Sequence, residues 1–247
     1  MRIRDSGPRA AAGRVAVSAL LVAATTAGPL AAQVGNQPSL SPFHDLTARQ
    51  AFTFSAGRFG GNAGGAGVGW RPGAMAAVRL DTRIGGPVDF YVSIGFAGSS
   101  RYKINTEQDT LTRKTGPFKK TLFLTDIGLV LNLTGAKTWH GIAPYVGFGA
   151  GWVLPSAAET DTGGYNAGSN LTLVPSLGTR IFFTRSLAAR IEVRDYIFRY
   201  EWPLRYFDPR DRNGLPITPA ILPLGAKDKQ LTHNLALTVG FVYGFNF

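Results

Sequence analysis

The chain has 247 residues, enough for one ordinary domain, with 31 glycines, 45% hydrophobic residues and only 17% charged residues. This composition disfavours a soluble helical enzyme, which usually carries less glycine and more lysine and glutamate. The absence of cysteine excludes disulfides, thiolate metal sites, cysteine nucleophiles and a lipid-modified cysteine. The net charge is +11, but the basic residues are dispersed rather than gathered on one face, so no nucleic-acid partner is expected.

The first 50 residues predict an export signal followed by a short strap. Residues 1–32 combine an arginine-containing start, an apolar run from Val15 to Ala27 and a small-residue ending, which is typical of a signal peptide. Residues 33–50 are rich in Pro, Ser, Gln and Asn and are interpreted as a periplasmic N-terminal strap. No apolar stretch of 18 residues follows, so any membrane-spanning region must be a closed β-barrel.

From Ala51 onward, large apolar residues alternate with small or polar residues, the period-two pattern of strands with two different faces. Eight such segments lie at about 51–59, 74–84, 88–99, 121–134, 142–154, 170–183, 187–200 and 231–247. Pro175 interrupts the sixth segment and predicts a bulge or weak pairing, and Asp195 falls on the apolar face of the seventh.

The connections alternate between long ones, of about 14, 21, 15 and 30 residues, and short ones, of about 3, 7 and 3 residues. Long and short loops therefore fall at opposite ends of the strands. Residues 51–247 are thus predicted to be all-β, an eight-stranded antiparallel up-and-down transmembrane β-barrel with short periplasmic turns and long extracellular loops. Closure removes the two edges that an open sheet would expose.

The chemistry of the polar face decides between a membrane barrel and a soluble one. That face consists mainly of Gly, Ala, Ser, Thr and Asn, a poor surface toward water but a suitable filling for a narrow lumen. A soluble barrel or sandwich is the alternative. Aromatic residues near the strand ends fit interfacial girdles in the membrane. At the long-loop end they are Trp152, Tyr200, Trp202 and Tyr206, and at the short-turn end Trp139, Tyr243, Phe245 and Phe247.

The last strand carries the most specific motif. Its outward row is Val239, Phe241, Tyr243, Phe245 and Phe247. This aromatic ending resembles the assembly signal of small outer-membrane barrels of the OmpA/OmpX type, and the resemblance covers residues 51–247. It implies location in the outer membrane, insertion by the outer-membrane assembly machinery and contact with outer-membrane lipids. It transfers no biochemical activity, because such barrels serve many functions.

Histidine chemistry is sparse. The three histidines, His44, His140 and His233, lack metal-ligand spacing, so neither a metal nor a cofactor is expected. A lipid hydrolase or acyltransferase would need a histidine beside a nucleophile and a carboxylate. His233, with Thr232 beside it and Asp228 nearby, is the only candidate, and no catalytic residue is assigned.

Charged residues on the inward face predict a salt-bridged plug. Nine residues share this phase: Arg79, Asp81, Arg83, Asp89, Asp126, Arg180, Arg190, Glu192 and Arg194. Opposite charges confined in a narrow lumen must pair. The tight turns favour Arg83 with Asp89 and Arg180 with Glu192, with Arg190 sharing the latter carboxylate. The near balance of charge favours a closed network over a one-sign pore.

The second long loop is predicted to contact lipopolysaccharide phosphates. Its basic residues are Arg101, Lys103, Arg113, Lys114, Lys119 and Lys120. A merely solvated loop is the alternative. The whole chain is interpreted as a monomeric, non-enzymatic outer-membrane barrel with a plugged lumen, serving envelope integrity or surface interaction. The alternatives are a narrow small-solute pore and a lipid-modifying outer-membrane enzyme.

Overall fold

The computed structural model describes residues 41–246, which form ten β-strands and one 3₁₀ turn at Leu204–Tyr206. The strands are β1 Phe43–Asp45, β2 Gln50–Phe59, β3 Gly73–Gly85, β4 Val88–Ile104, β5 Lys114–Asn132, β6 Lys137–Trp139, β7 Ile142–Pro155, β8 Asn170–Phe182, β9 Leu187–Glu201 and β10 Lys229–Phe245. The predicted signal peptide and residues 33–40 of the predicted strap lie outside the described residues. Within the described part, no helix is long and apolar enough to span a membrane.

Eight of the strands close into an antiparallel barrel, which confirms the predicted strand number and topology. Neighbouring strands follow the order β2, β3, β4, β5, β7, β8, β9 and β10, and β10 returns to pair with β2. This closing ladder runs from Gln50 opposite Phe245 to Phe59 opposite Ala236. Because every barrel strand has a neighbour on both sides, the barrel has no open edge.

The two faces of the barrel wall differ as the period-two pattern predicts. Large apolar side chains such as Phe54 (59% exposed) and Phe241 (50% exposed) point outward. The residues that alternate with such outward positions along each strand point inward and are buried, as Asp81, Tyr91 and Asp126 do. Soluble proteins rarely expose so continuous an apolar surface to water, so the outward face is a lipid-facing band.

Long and short connections lie at opposite ends of the barrel. The connections predicted to be long span 60–72, 105–113, 156–169 and 202–228, and those predicted to be short span 86–87, 133–141 and 183–186, so that 105–113 is no longer than 133–141. The second long loop is shorter than predicted, because β4 continues to Ile104 and β5 already begins at Lys114. Beyond the lipid band a strand needs no apolar face. The alternation of apolar and polar residues therefore stops before the strand does, and the sequence does not show where the strand ends.

Residues 42–49 pack against the short-turn end. In β1, Phe43 lies opposite Trp139 of β6, and the Leu46 N–H donates to the Ala136 carbonyl at 2.9 Å. The Arg83 guanidinium donates to the Leu46 carbonyl at 2.7 Å from inside the barrel. The segment is therefore attached both to a turn and to a lumen side chain.

The ladder between β8 and β9 is interrupted near its middle. Its residue pairs run from Phe182 opposite Ala188 up to Ser176 opposite Arg194, skip Val174 and Pro175, and end at Leu173 opposite Ile197. Proline has no N–H to donate to a ladder, which explains the interruption predicted there.

Candidate functional site

The inward charged residues form ion pairs across the lumen, six of them in one connected network and Arg83, Asp89 and Arg180 in a separate group. Strands β3, β4, β5, β8 and β9 supply them, because the period of two places every second residue of each strand in the same narrow space. All nine residues of the predicted network take part in ion pairs: Arg79, Asp81, Arg83, Asp89, Asp126, Arg180, Arg190, Glu192 and Arg194. All except Arg83 are buried.

The centre of the network is a pair of arginines, Arg79 and Arg190, that share the Asp81 carboxylate. Arg79 contacts Asp81 at 2.8 Å on its own strand and Glu192 at 2.9 Å across the lumen. Arg190 donates to Asp81 at 2.9 Å and to the Thr53 hydroxyl at 2.9 Å. These shared contacts join β2, β3 and β9 across the interior.

A second group extends the network toward β4 and β5. The Arg194 guanidinium contacts Glu192 at 2.8 Å and Asp126 at 3.0 Å, and it donates to the Ser93 hydroxyl at 3.1 Å. Arg194 thus has two carboxylates, and Glu192 in turn has two arginines. Removal of one member leaves the others buried with their charge uncompensated.

At the short-turn end the predicted pairing is half right. Arg83 and Asp89 are opposite each other and form the predicted ion pair, at 3.6 Å. The Arg180–Glu192 pair is wrong: Arg180 contacts Asp89 at 3.3 Å and the Asn132 amide oxygen instead. The register explains this, because it places Arg180 opposite Arg190 and Gly178 opposite Glu192.

Two buried tyrosines fill the space between the charges. The Arg79 guanidinium lies 3.8 Å from the centre of the Tyr91 ring, and Arg190 lies 5.0 Å from that of Tyr145. The Tyr91 hydroxyl occupies the place that a side chain at Gly149 would need, and the Ser176 hydroxyl does the same for Gly147. Glycine on β7 therefore makes room for the lumen filling.

The long-loop half of the interior is filled differently, by an aromatic cluster. Its members come from the upper strands and from loops that fold into the mouth: Phe59, Trp70, Tyr165, Phe198, Tyr200, Trp202, Tyr206 and Leu222. Tyr200 ties the cluster to the first long loop, since its hydroxyl accepts from the Trp70 N–H and donates to the Asn62 carbonyl, both at 3.0 Å.

Three residues of the predicted outer girdle belong to this cluster instead. Tyr200, Trp202 and Tyr206 are 2%, 5% and 0% exposed, so the girdle prediction is wrong for them. Tyr200 shares the inward phase of Tyr196, and the loop after β9 turns Trp202 and Tyr206 inward. Trp152, at 53% exposed, does point outward at this end.

Tyrosine hydroxyls in the loop part of the cluster stay protonated. Burial raises the pKa of Tyr206, and the hydrogen bond that its hydroxyl donates to Asp161 raises it further. Burial likewise raises the pKa of Tyr165. The tyrosine hydroxyls are thus neutral, although the Asp161 carboxylate and the Arg101 guanidinium lie beside them.

The basic residues of the second hairpin do not form one surface. Arg101 is buried, with its guanidinium 5.3 Å from the Tyr165 ring centre, so it cannot contact lipopolysaccharide as predicted. Lys103 and Lys120 both contact the Glu159 carboxylate, at 2.8 and 2.6 Å. Their hydrogen bonds lower the pKa of Glu159 to about 2.

The remaining three basic residues lie nearer to solvent. Arg113 donates to the Pro219 carbonyl at 2.8 Å, and the Lys114 ammonium lies 4.5 Å from the Tyr102 ring centre. Lys119 is exposed on the outward face of β5, at the upper rim of the lipid band. These positions leave Lys114 and Lys119 the most accessible of the six.

His233 lies outside the barrel, not in the lumen. Its Nδ1 is 2.5 Å from Asp195, rather than near Asp228, and Asp195 also accepts the Asn234 N–H at 2.9 Å. The neighbouring Thr232 hydroxyl points inward and donates to the Phe198 carbonyl. The aspartate that breaks the alternation is therefore explained by a cross-strand contact, and Thr232 is not a nucleophile for His233.

The described residues contain no cluster of three or more His, Asp or Glu arranged to hold a metal ion. On β10, Val239, Phe241 and Tyr243 point outward, and Phe245 stacks on Phe52 with ring centres 5.5 Å apart. Phe247, the last residue of the predicted assembly signal, lies outside the described residues.

A closed barrel with a lipid-compatible exterior and a filled polar interior defines a membrane-spanning protein of the outer-membrane type. Among solved structures, the chain is similar to the outer membrane protein OprG from Pseudomonas aeruginosa, with 11% identity and a TM-score of 0.47 over 84% of this chain and 100% of that chain. It is also similar to Neisserial surface protein A, with 14% identity and a TM-score of 0.45 over 83% of this chain and 98% of that chain. A third similar structure is the N-terminal β-barrel domain of Pseudomonas aeruginosa OprF, with 10% identity and a TM-score of 0.42 over 80% of this chain and 98% of that chain. No protein-family model and no curated protein matches the chain.

Proposed function

We propose that this protein is a non-enzymatic outer-membrane barrel whose plugged lumen carries no solute and whose outer surface serves envelope integrity or surface interaction. The observation that supports this proposal is how little space the filling leaves. The cavity among Thr53, Arg79, Arg190 and Arg194 has a volume of about 10 Å³, which is room for about one water molecule. Above it lies the aromatic cluster, so a solute meets two successive barriers.

Conductance across planar lipid bilayers tests the plug. The refolded protein is expected to give no steady channel, and replacing both Asp81 and Arg190 by Ala is expected to leave it closed, because the aromatic cluster still fills the mouth. A porin reconstituted in the same way controls for insertion. Steady single-channel steps from the unaltered protein would favour the narrow pore instead.

Lipopolysaccharide is the proposed surface partner, bound by Lys114 and Lys119 through phosphate contacts at the upper rim. Replacing both lysines by Gln is expected to reduce the lipopolysaccharide that copurifies with the barrel from outer membranes. Lys137→Gln is the matched control, since Lys137 is exposed at the opposite, short-turn end. Equal retention in both variants would dispose of this partner.

The aromatic row on β10 is proposed as the recognition element for the outer-membrane assembly machinery. Deletion of Phe247 is expected to lower the amount of folded protein in the outer membrane. Phe183→Ala is the control, because Phe183 is an exposed aromatic residue outside β10. Undiminished outer-membrane levels after the deletion would contradict the assignment.

A further inference from the structure

The charges of the lumen network do not balance, and the imbalance falls at one place. Five arginines face four carboxylates, which leaves one net positive charge. Arg79 and Arg194 each contact two carboxylates, and Arg190 contacts Asp81. Arg83 and Arg180, by contrast, have only Asp89 between them. The excess charge therefore lies at the short-turn end.

The strand register adds repulsion between like charges at this end. Arg180 on β8 lies directly opposite Arg190 on β9, and like charges in directly opposed positions destabilise a sheet. Asp81 compensates Arg190 at 2.9 Å, but it makes no ion pair with Arg180. Asp89 must therefore offset Arg180 while it also serves Arg83.

Neither arginine satisfies its Nε–H group with a hydrogen bond. Among the described residues, the buried Arg180 Nε has no hydrogen-bond partner, and the Arg83 Nε faces the Asp89 Oδ1 atom at 3.6 Å, too far for a hydrogen bond. The Arg180 side chain is only 5% exposed, so water outside the barrel does not reach it freely. A buried donor of this kind is costly unless something in the structure accepts its hydrogen bond.

The two arginines line the same small cavity at the short-turn mouth. Arg185 lines it too, and the strap residues Leu46, Thr47 and Ala48 form another of its walls. Its volume is about 20 Å³, slightly more than one water molecule needs. Positive charge, an unused donor and a volume close to that of one water molecule together fit one small monatomic anion.

We propose that this cavity is a halide site, in which one chloride ion accepts hydrogen bonds from Arg180 and Arg83 beneath the strap. The ion offsets the excess positive charge at this end and gives the Arg180 Nε–H an acceptor. Through the Arg83 contact to Leu46 it also links the strap to the lumen filling. The site is structural, and it is independent of whether the lumen conducts.

The test measures urea unfolding midpoints of the folded barrel in detergent at constant ionic strength, while chloride replaces isethionate, an anion too large for the cavity. A bound ion stabilises only the folded state, so the midpoint is expected to rise with chloride concentration. Arg180→Gln is expected to raise the apparent chloride dissociation constant by about tenfold or more, the value of one lost charge-assisted hydrogen bond. Arg212→Gln, at an exposed position outside the cavity, should keep the full chloride dependence.

Crystals grown in bromide provide a second readout, which does not depend on the stability of the variants. An anomalous peak within hydrogen-bond distance of Arg180 and Arg83 is expected. If Arg180→Gln does not fold, Arg83→Gln takes its place in the titration. A chloride dependence equal in the unaltered protein and in the arginine variant, or a cavity that holds only water in bromide crystals, would overturn the proposal.

Discussion

The two halves of the lumen achieve the same closure with different chemistry. The short-turn half is filled by charged side chains from the strands, whereas the long-loop half is filled by aromatic side chains, several of which come from loops. In the first half each side chain depends on partners of opposite charge. In the second it depends on contact area. The contrast shows that a barrel wall fixes only the space to be filled, and the two halves should therefore respond differently to substitution.

Loss of a shared carboxylate should have the largest effect. Asp81→Asn leaves Arg79 and Arg190 buried with reduced compensation, and breaking a buried pair in this way typically costs about 3 to 5 kcal/mol. The urea unfolding midpoint of the folded barrel in detergent micelles measures the loss. Asp208→Asn, which breaks an exposed pair with Arg210, should change it by less than about 1 kcal/mol. Equal effects would show that the network contributes no more than a surface pair.

Removal of a ring from the aromatic half should open the loops rather than the barrel. Trp202 packs on Tyr165 and Tyr200 with ring centres 5.1 and 5.3 Å away, and a buried Trp→Ala change typically costs about 3 to 5 kcal/mol. Because loops unfold locally, Trp202→Ala is expected to speed protease cleavage in 156–169 and 202–228. The urea midpoint of the strands should change far less. Leu204→Ala, at an exposed residue of the same loop, is the control.

The tightness of the charged half can be tested with one methyl group. A Cβ at Gly147 would meet the Ser176 hydroxyl inside contact distance, so Gly147→Ala is expected to cost about 1 to 3 kcal/mol of unfolding free energy. Adding Ser176→Ala removes that oxygen and should restore most of the loss. Failure of the second substitution to restore stability would mean that the neighbouring β5 atoms, the Val130 Cγ2 and the Leu129 carbonyl oxygen, resist the methyl group.

The smallest effect is a pH dependence in the loops. The pKa of Glu159 is lowered to about 2, so its pairs with Lys103 and Lys120 stabilise the fold fully above the unfolded pKa, about 4.3. This stabilisation is lost as the pH falls through about 2. The difference in loop protease resistance between the unaltered protein and Glu159→Gln should therefore be constant near neutral pH and vanish in acid. A difference that persists below the folded pKa would contradict the pairing.

The sequence predicts the charged half better than the aromatic half, for a physical reason. The period of two predicts that Arg79 and Glu192 point inward, because the face that a residue occupies follows from the alternation within its own strand. Their partners depend on register, which the period of two does not reveal, so the prediction for Arg180 names the wrong carboxylate. Trp202 and Tyr206 follow no period, because loop conformation, not strand geometry, turns them inward. The extensions of β4 to Ile104 and of β5 back to Lys114 are not predicted for another reason, because a strand beyond the lipid band needs no apolar face.

The ladder between β2 and β10 has a consequence for chain connectivity. It places Gln50 opposite Phe245, so two residues far apart in sequence are neighbours at the short-turn end. A short linker could join β10 to β2 there, and the chain could be opened between Leu224 and Gly225, where the loop is exposed. Such a circular permutant would keep all eight ladders while starting translation in the last long loop. The permutant would thus preserve the order of neighbours in the ring while moving β10 to the start of the chain, which separates barrel closure from the position of the proposed assembly signal.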